Sequence, residues 1–134
     1  MHITSFENLL TAARQQPQPQ RLLFTFARAE PPENATKEQE AAFNAGHGGV
    51  LIPTACVDRT PEELTSFSAF VEESRQFSPD WVIMFAASLS GRNGQLPSAN
   101  DAEIPLKRMV ASIKAGDIEA FVPFNREGLA IRLG

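Results

Sequence analysis

Trp81-Val82-Ile83-Met84-Phe85-Ala86-Ala87 is the stretch on which the fold turns. An apolar run with no polar side, too short for a convincing buried helix, predicts a central strand covered on both faces. Just upstream, Thr60-Pro61-Glu62-Glu63 carries an N-cap, a proline at the first helical position and a capping-box glutamate. Leu64, Phe67, Phe70, Val71 and Ser74 then fall on one face, so a continuous helix is expected from Thr60. Just downstream, Ser88 to Asn100 is expected to be a loop, with turn chemistry at Ser90-Gly91 and Asn93-Gly94. A further helix follows, with Pro105 near its start, Leu106, Met109, Val110 and Ile113 on its buried stripe, and Gly116 ending it. At the C-terminus Ile118, Ala120, Val122 and Phe124 alternate, Asn125-Arg126-Glu127-Gly128 turns, and Leu129, Ile131 and Leu133 alternate back, which predicts a β-hairpin.

Toward the N-terminus, Thr4 and Glu7 suggest a capping box for a helix bearing Phe6, Leu9, Leu10 and Ala13, which Pro17 and Pro19 end. Arg21 to Arg28 has strand character. Thr36 and Gln39 suit the cap of a short helix, with Gly46 placed to stop it. Val50 to Val57 reads as a strand. Pro53 cannot donate to a ladder, so this strand must lie at an edge or carry a bulge. The expectation is one α/β domain over residues 1–134 with α+β character at the C-terminus. It is a single-layer mixed sheet of about five strands, near 21–28, 50–57, 81–87, 118–124 and 129–133, with helices packed on it.

The chain has 134 residues, 43% hydrophobic and 21% charged, which suits a folded domain and argues against disorder. A net charge of −4 provides no basic face for a phosphate backbone, so nucleic acid is not an expected partner. Cys56 is the single cysteine, so no internal disulfide forms. The first residues carry neither a basic nor an apolar leader segment, and no apolar run approaches the roughly 20 residues of a membrane span. A cytoplasmic protein, not bound to membrane, is expected.

Residues with chemical capacity are few. Gly46-His47-Gly48-Gly49 follows a helix and precedes a strand, the reverse of a phosphate-cradling order, and reads as a structural turn. His47 and His2 lack the companion ligands that zinc requires, so no metal or other cofactor is expected. Cys56, in an apolar strand, reads as a core residue. No catalytic residue is assigned. The candidate ligand site is Ser90, Gly91, Arg92, Asn93 and Gly94, just past the carboxyl end of the predicted central strand. Its glycines admit a ligand closely, and Arg92 would meet a small anion.

Phe6-Glu7-Asn8-Leu9-Leu10 with Ala12-Ala13-Arg14, Thr60-Pro61-Glu62-Glu63-Leu64, Val71 to Phe77 and Ile113-Lys114-Ala115-Gly116 resemble a small bacterial family of about this length. Its members often carry the label "ribonucleotide reductase subunit alpha". That catalytic subunit uses a radical cysteine and a separate redox cysteine pair, a set that Cys56 alone does not supply. Val122-Pro123-Phe124-Asn125-Arg126-Glu127-Gly128 is similar to the hairpin of SseB-type N-terminal domains, small α/β modules of secretion-linked bacterial proteins. Two functions compete on this sequence. One is a non-enzymatic binding or protein-interaction module, expected to form a symmetric homodimer. The other is a small enzyme or anionic-ligand sensor using residues 88–94.

Overall fold

The structure is a computed structural model that describes residues 3–45 and 49–133. The decisive apolar run does form an interior strand, β3, but it covers Ile83–Ser90 rather than 81–87. Trp81 instead drops into the core just before the strand, where its ring nitrogen donates to Ser74 Oγ at 2.7 Å. β3 lies between β1 (Gln20–Glu30) and the short β4 (Val122–Phe124), and β2 (Val50–Arg59) flanks β1 on the far side.

All three pairings are antiparallel, so the sheet is not mixed, and it has four strands rather than five. The order β2-β1-β3-β4 brings the long strands together while helices fill the connections. Strand direction depends on how each connection crosses the sheet, which local pattern does not record. β2 is an edge strand, one of the two placements Pro53 allowed, and it carries the other as well: its register with β1 shifts between Phe26 and Ala27, leaving Thr54 as the extra residue. Thr54 Oγ1 lies 3.2 Å from the Phe26 carbonyl, to which it donates.

Alternation along β1 builds two cores. Leu22, Phe24 and Phe26 face α1 (Phe6–Arg14) and α3 (Phe67–Ser74) in a cluster rich in aromatic rings. Phe24 and Phe70 have centroids 4.9 Å apart, and Phe26 and Trp81 meet edge-on at 5.3 Å. Such pairs add about 0.5–1.5 kcal/mol each beyond burial. Leu23 and Ala27 face the opposite way, toward Leu106, Met109 and Ile113 of α4 (Ala99–Lys114), in a mainly aliphatic core. The short α2 (Lys37–Asn44) buries none of its residues, although its Thr36–Gln39 capping box forms as the sequence suggests.

Several boundaries differ from expectation. Ser5, not Thr4, caps α1, accepting from the Asn8 amide at 3.1 Å. The expected helix from Thr60 splits: Pro61–Glu63 makes one 3₁₀ turn under the Thr60–Glu63 box, Leu64 is extended and buried, and Ser66 starts α3 afresh. Ser98 caps α4 with Asp101, so Pro105 sits inside the helix rather than near its start. Gly116, with φ of +80°, does follow the end of α4. The terminal hairpin shrinks to β4 and isolated bridges, Phe124 to Ala130 and Ser5 to Leu129. Residues 118–121 turn instead, the Phe121 amide donating to the Ile118 carbonyl at 3.1 Å, and the Phe121 ring packs edge-on against Phe85.

Candidate functional site

The predicted site residues divide between a strand and a turn. Ser90 is the last residue of β3, and Ser88 also lies within it, so the loop expected from Ser88 begins only after Ser90. Arg92 and Gln95 then bridge across Asn93 and Gly94, whose φ angles of 53° and 76° make a tight turn of the kind Asn-Gly favours. This hairpin is pinned from three sides. The Gly91 amide donates to the Pro19 carbonyl (2.8 Å), the Gly94 amide to Gln18 Oε1 (2.7 Å), and Arg21 Nε to the Pro97 carbonyl (2.8 Å). Arg21 is held in turn by Asp58 at 2.9 Å. The carboxyl-end rule that pointed here belongs to parallel sheets. In this antiparallel sheet the interest of the region has another source.

That source is the backbone of β3. In an antiparallel ladder, successive residues turn their amide and carbonyl to opposite sides of the strand. Gly91 bonds to Pro19 next to β1, and the register pairs Leu89 with Arg21, Ala87 with Leu23 and Phe85 with Thr25. These odd-numbered residues therefore face β1, and Met84, Ala86, Ser88 and Ser90 face away. Met84 and Ala86 meet Phe124 and Val122 of β4. Continuing that register would place Ala120 opposite Ser88 and Ile118 opposite Ser90. Because residues 118–121 turn away, no strand lies there among the described residues, and the outer backbone of Ser88 and Ser90 stays open.

The serine hydroxyls do not occupy this edge. Ser88 Oγ donates to Gln20 Oε1 at 2.5 Å, and Gln20 Nε2 donates to Ser90 Oγ at 3.0 Å, so both side chains are tied back onto β1. Gln20 is buried while both serines are exposed. A cleft lies on each face of the strand. On the α1 face, Leu9, Ala12, Ala13, Gln20 and Ser88 line a mainly apolar hollow of about 200 Å³. At the hairpin, Leu89, Gly91, Arg92, Gln95, Pro97 and Asp101 line a more polar cleft of about 440 Å³. Arg92 is exposed and makes no ion pair among the described residues. Asp101 in the same cleft accepts from the Ser98 amide at 2.9 Å, and that bond holds its carboxyl below the ordinary aspartate value.

Other candidates contribute less. His2 and most of the Gly46-His47-Gly48-Gly49 turn lie outside the described residues. Cys56 is exposed on the edge strand β2, not a core residue. Partial desolvation and the neighbouring Asp58 carboxylate both raise its pKa, the opposite of what a nucleophile needs. Among the described residues, no three His, Cys, Asp or Glu side chains gather as a metal site would require. None of the described helices is long and apolar enough to cross a membrane. Sequence reasoning missed the open edge itself. No family model, curated protein or solved structure matches the chain.

Proposed function

We propose that this chain is a non-enzymatic binding module that takes an extended polypeptide segment onto the open half of β3. The observation that carries the reading is the outward backbone of Ser88 and Ser90, left without a partner strand on an interior strand among the described residues and flanked by a cleft on either face. Strand addition uses this combination: backbone hydrogen bonds supply affinity, and hollows for alternate side chains supply selectivity. The site is short, four residues or about 14 Å of strand, so affinities in the micromolar range are expected. Panning a random heptapeptide display library against the immobilised full chain tests it. Enriched peptides should slow amide hydrogen exchange at Ser88 and Ser90. Absence of enrichment, or protection elsewhere only, refutes the reading.

A second reading, a sensor of small anions, is favoured by Arg92, whose guanidinium lines a cleft without an ion pair among the described residues. A thermal-shift screen against phosphate, nucleotides and carboxylates tests it. A ligand at 100 times its dissociation constant stabilises by about 2.7 kcal/mol. No shift from any of them removes this reading. A symmetric dimer is proposed along β2, whose outer backbone at Leu51, Cys56 and Asp58 faces away from β1. Light scattering at roughly 50 µM, a concentration at which dimers of micromolar affinity form, should give twice 14.7 kDa. The monomer mass alone refutes it.

A further inference from the structure

We infer that the segment bound at β3 belongs to a different protein and places a leucine-sized apolar side chain opposite Ser88, in the hollow against α1; this inference rests on the strand-addition reading above. Val122 and Phe124 of β4 pair with Ala86 and Met84, and both send their side chains into the aromatic-rich core on the α1 side. Paired residues in a ladder point to the same face. The next place in that row lies opposite Ser88, where the turn at 118–121 leaves no strand among the described residues. A ligand that continues the register of β4 therefore directs the side chain opposite Ser88 toward α1. Ser88 itself lines the hollow there, and its side chain is short enough for a neighbour to lean across it. In an antiparallel ladder outward-facing residues pair with each other. A second copy aligned β3 to β3 would thus offer only Ser88 or Ser90 at this place, too small and too polar to fill the hollow.

The lining decides what the hollow takes. Leu9, Ala12 and Ala13 of α1 and Leu22 of β1 are buried within it, and the more exposed Ile3 and Ser88 stand at its rim. Its volume of about 200 Å³ exceeds the roughly 150 Å³ of an apolar cavity that takes up benzene, so a leucine side chain fits. Ala12 and Ala13 line it with single methyl groups, which keeps it open. The amide donors beside it are engaged: Gln20 Nε2 donates to the Gln18 carbonyl and Ser90 Oγ, and Gln16 Nε2 donates to the Ala12 carbonyl. None of the lining side chains is ionisable, so a charged occupant would lose hydration and find no counter-charge.

Fluorescence anisotropy with three end-blocked, dye-labelled heptapeptides tests the inference on the full chain. Each is built of serine and threonine around one central guest: leucine, alanine or aspartate. A buried methylene strengthens binding about fourfold, so the leucine peptide should bind roughly ten- to sixtyfold tighter than the alanine peptide. The aspartate peptide should bind weakest. Ala12→Leu fills the hollow from within and should bring the leucine and alanine peptides together. Gln16→Trp, at an exposed position where the fold tolerates change, should cover the hollow and weaken the leucine peptide selectively. A leucine preference unchanged in both variants would put the guest elsewhere and overturn the inference. Dissociation of a dimer of the chain by the leucine peptide would make the occupant a second copy, and would overturn it too. Equal binding of leucine and alanine peptides, with exchange slowed at Ser88 and Ser90, would overturn the apolar preference and leave strand addition standing. Failure of all three to bind, with no slowing of exchange there, would overturn both.

Discussion

Replacing Gly91 by alanine probes how the edge of β3 is set. A Cβ built on Gly91 would lie 2.0 Å from the Gln95 carbonyl oxygen and 3.0 Å from that of Pro19. Both are backbone atoms, so no side chain can swing aside to make room. Relief requires the 91–96 hairpin to move off β1, breaking the 2.8 Å Gly91–Pro19 hydrogen bond at its base. Overpacking of this kind costs about 1–3 kcal/mol, and the lost hydrogen bond about 0.5–1.5 more. A destabilisation of about 3 kcal/mol results. For a chain of this length the unfolding entropy near 60 °C is roughly 0.28 kcal/mol/K, so Tm should fall by about 11 °C. Scanning calorimetry measures this directly. Gly94→Ala is the control, because its Cβ would meet nothing within 4 Å and only the φ of +76° opposes it. That left-handed conformation costs about 1–2 kcal/mol, or roughly 4–7 °C. A Gly91→Ala loss no larger than that of Gly94→Ala would show that the hairpin is not clamped against Pro19 and Gln95, and the described cleft would lose its floor.

Ser74→Ala removes the acceptor of the buried Trp81 ring nitrogen, and urea unfolding should show a loss of about 1–3 kcal/mol. Glu63 is held below its ordinary carboxyl value of 4.5, chiefly by the Thr60 backbone amide. Its stabilising contribution is therefore complete above the unfolded glutamate's pKa and is lost as pH falls through the lower folded value. Glu63→Gln should accordingly flatten the acid limb of a Tm-against-pH profile, and an unchanged limb would remove Glu63 as a contributor. Cys56→Ser should change the unfolding free energy by no more than about 0.5 kcal/mol, the range typical of exposed sites, as urea unfolding would show. With its pKa raised, Cys56 should alkylate with iodoacetamide at neutral pH more slowly than free cysteine, and Asp58→Asn should speed it.

What the sequence conveyed and what it withheld follow a physical line. Pro53 announced an edge position or a bulge, and β2 has both, because a missing N–H is a property of one residue. The Thr36–Gln39 and Thr60–Glu63 boxes were equally local and both formed. The helix from Thr60 nonetheless broke, because Leu64 is extended and buried and Ser66 supplies a second, competing cap. The alternation from Ile118 to Phe124 was genuine, but residues 118–121 turn, with the Phe121 ring packed edge-on against Phe85. Of the candidate site, Arg92, Asn93 and Gly94 were legible through turn chemistry. The open backbone at Ser88 and Ser90 was not, since it is created by the absence of a neighbour distant in sequence.

The unequal makeup of the two cores has an optical consequence. The chain has one tryptophan and no tyrosine, and Trp81 is fully buried on the α1 and α3 side of the sheet, beside Phe26 and beneath the Arg126 guanidinium at 4.8 Å. Intrinsic emission excited near the indole red edge therefore reports on that half of the molecule alone. α4, the longest helix, packs on the opposite face against aliphatic side chains, and its release would be dark in fluorescence while removing a large part of the far-ultraviolet helical signal. Superimposable melts by the two methods would mean that the sheet couples both halves into a single cooperative unit. An ellipticity change that precedes the emission change would mark α4 as a separately melting element, and would make the single indole a built-in discriminator between local and global opening.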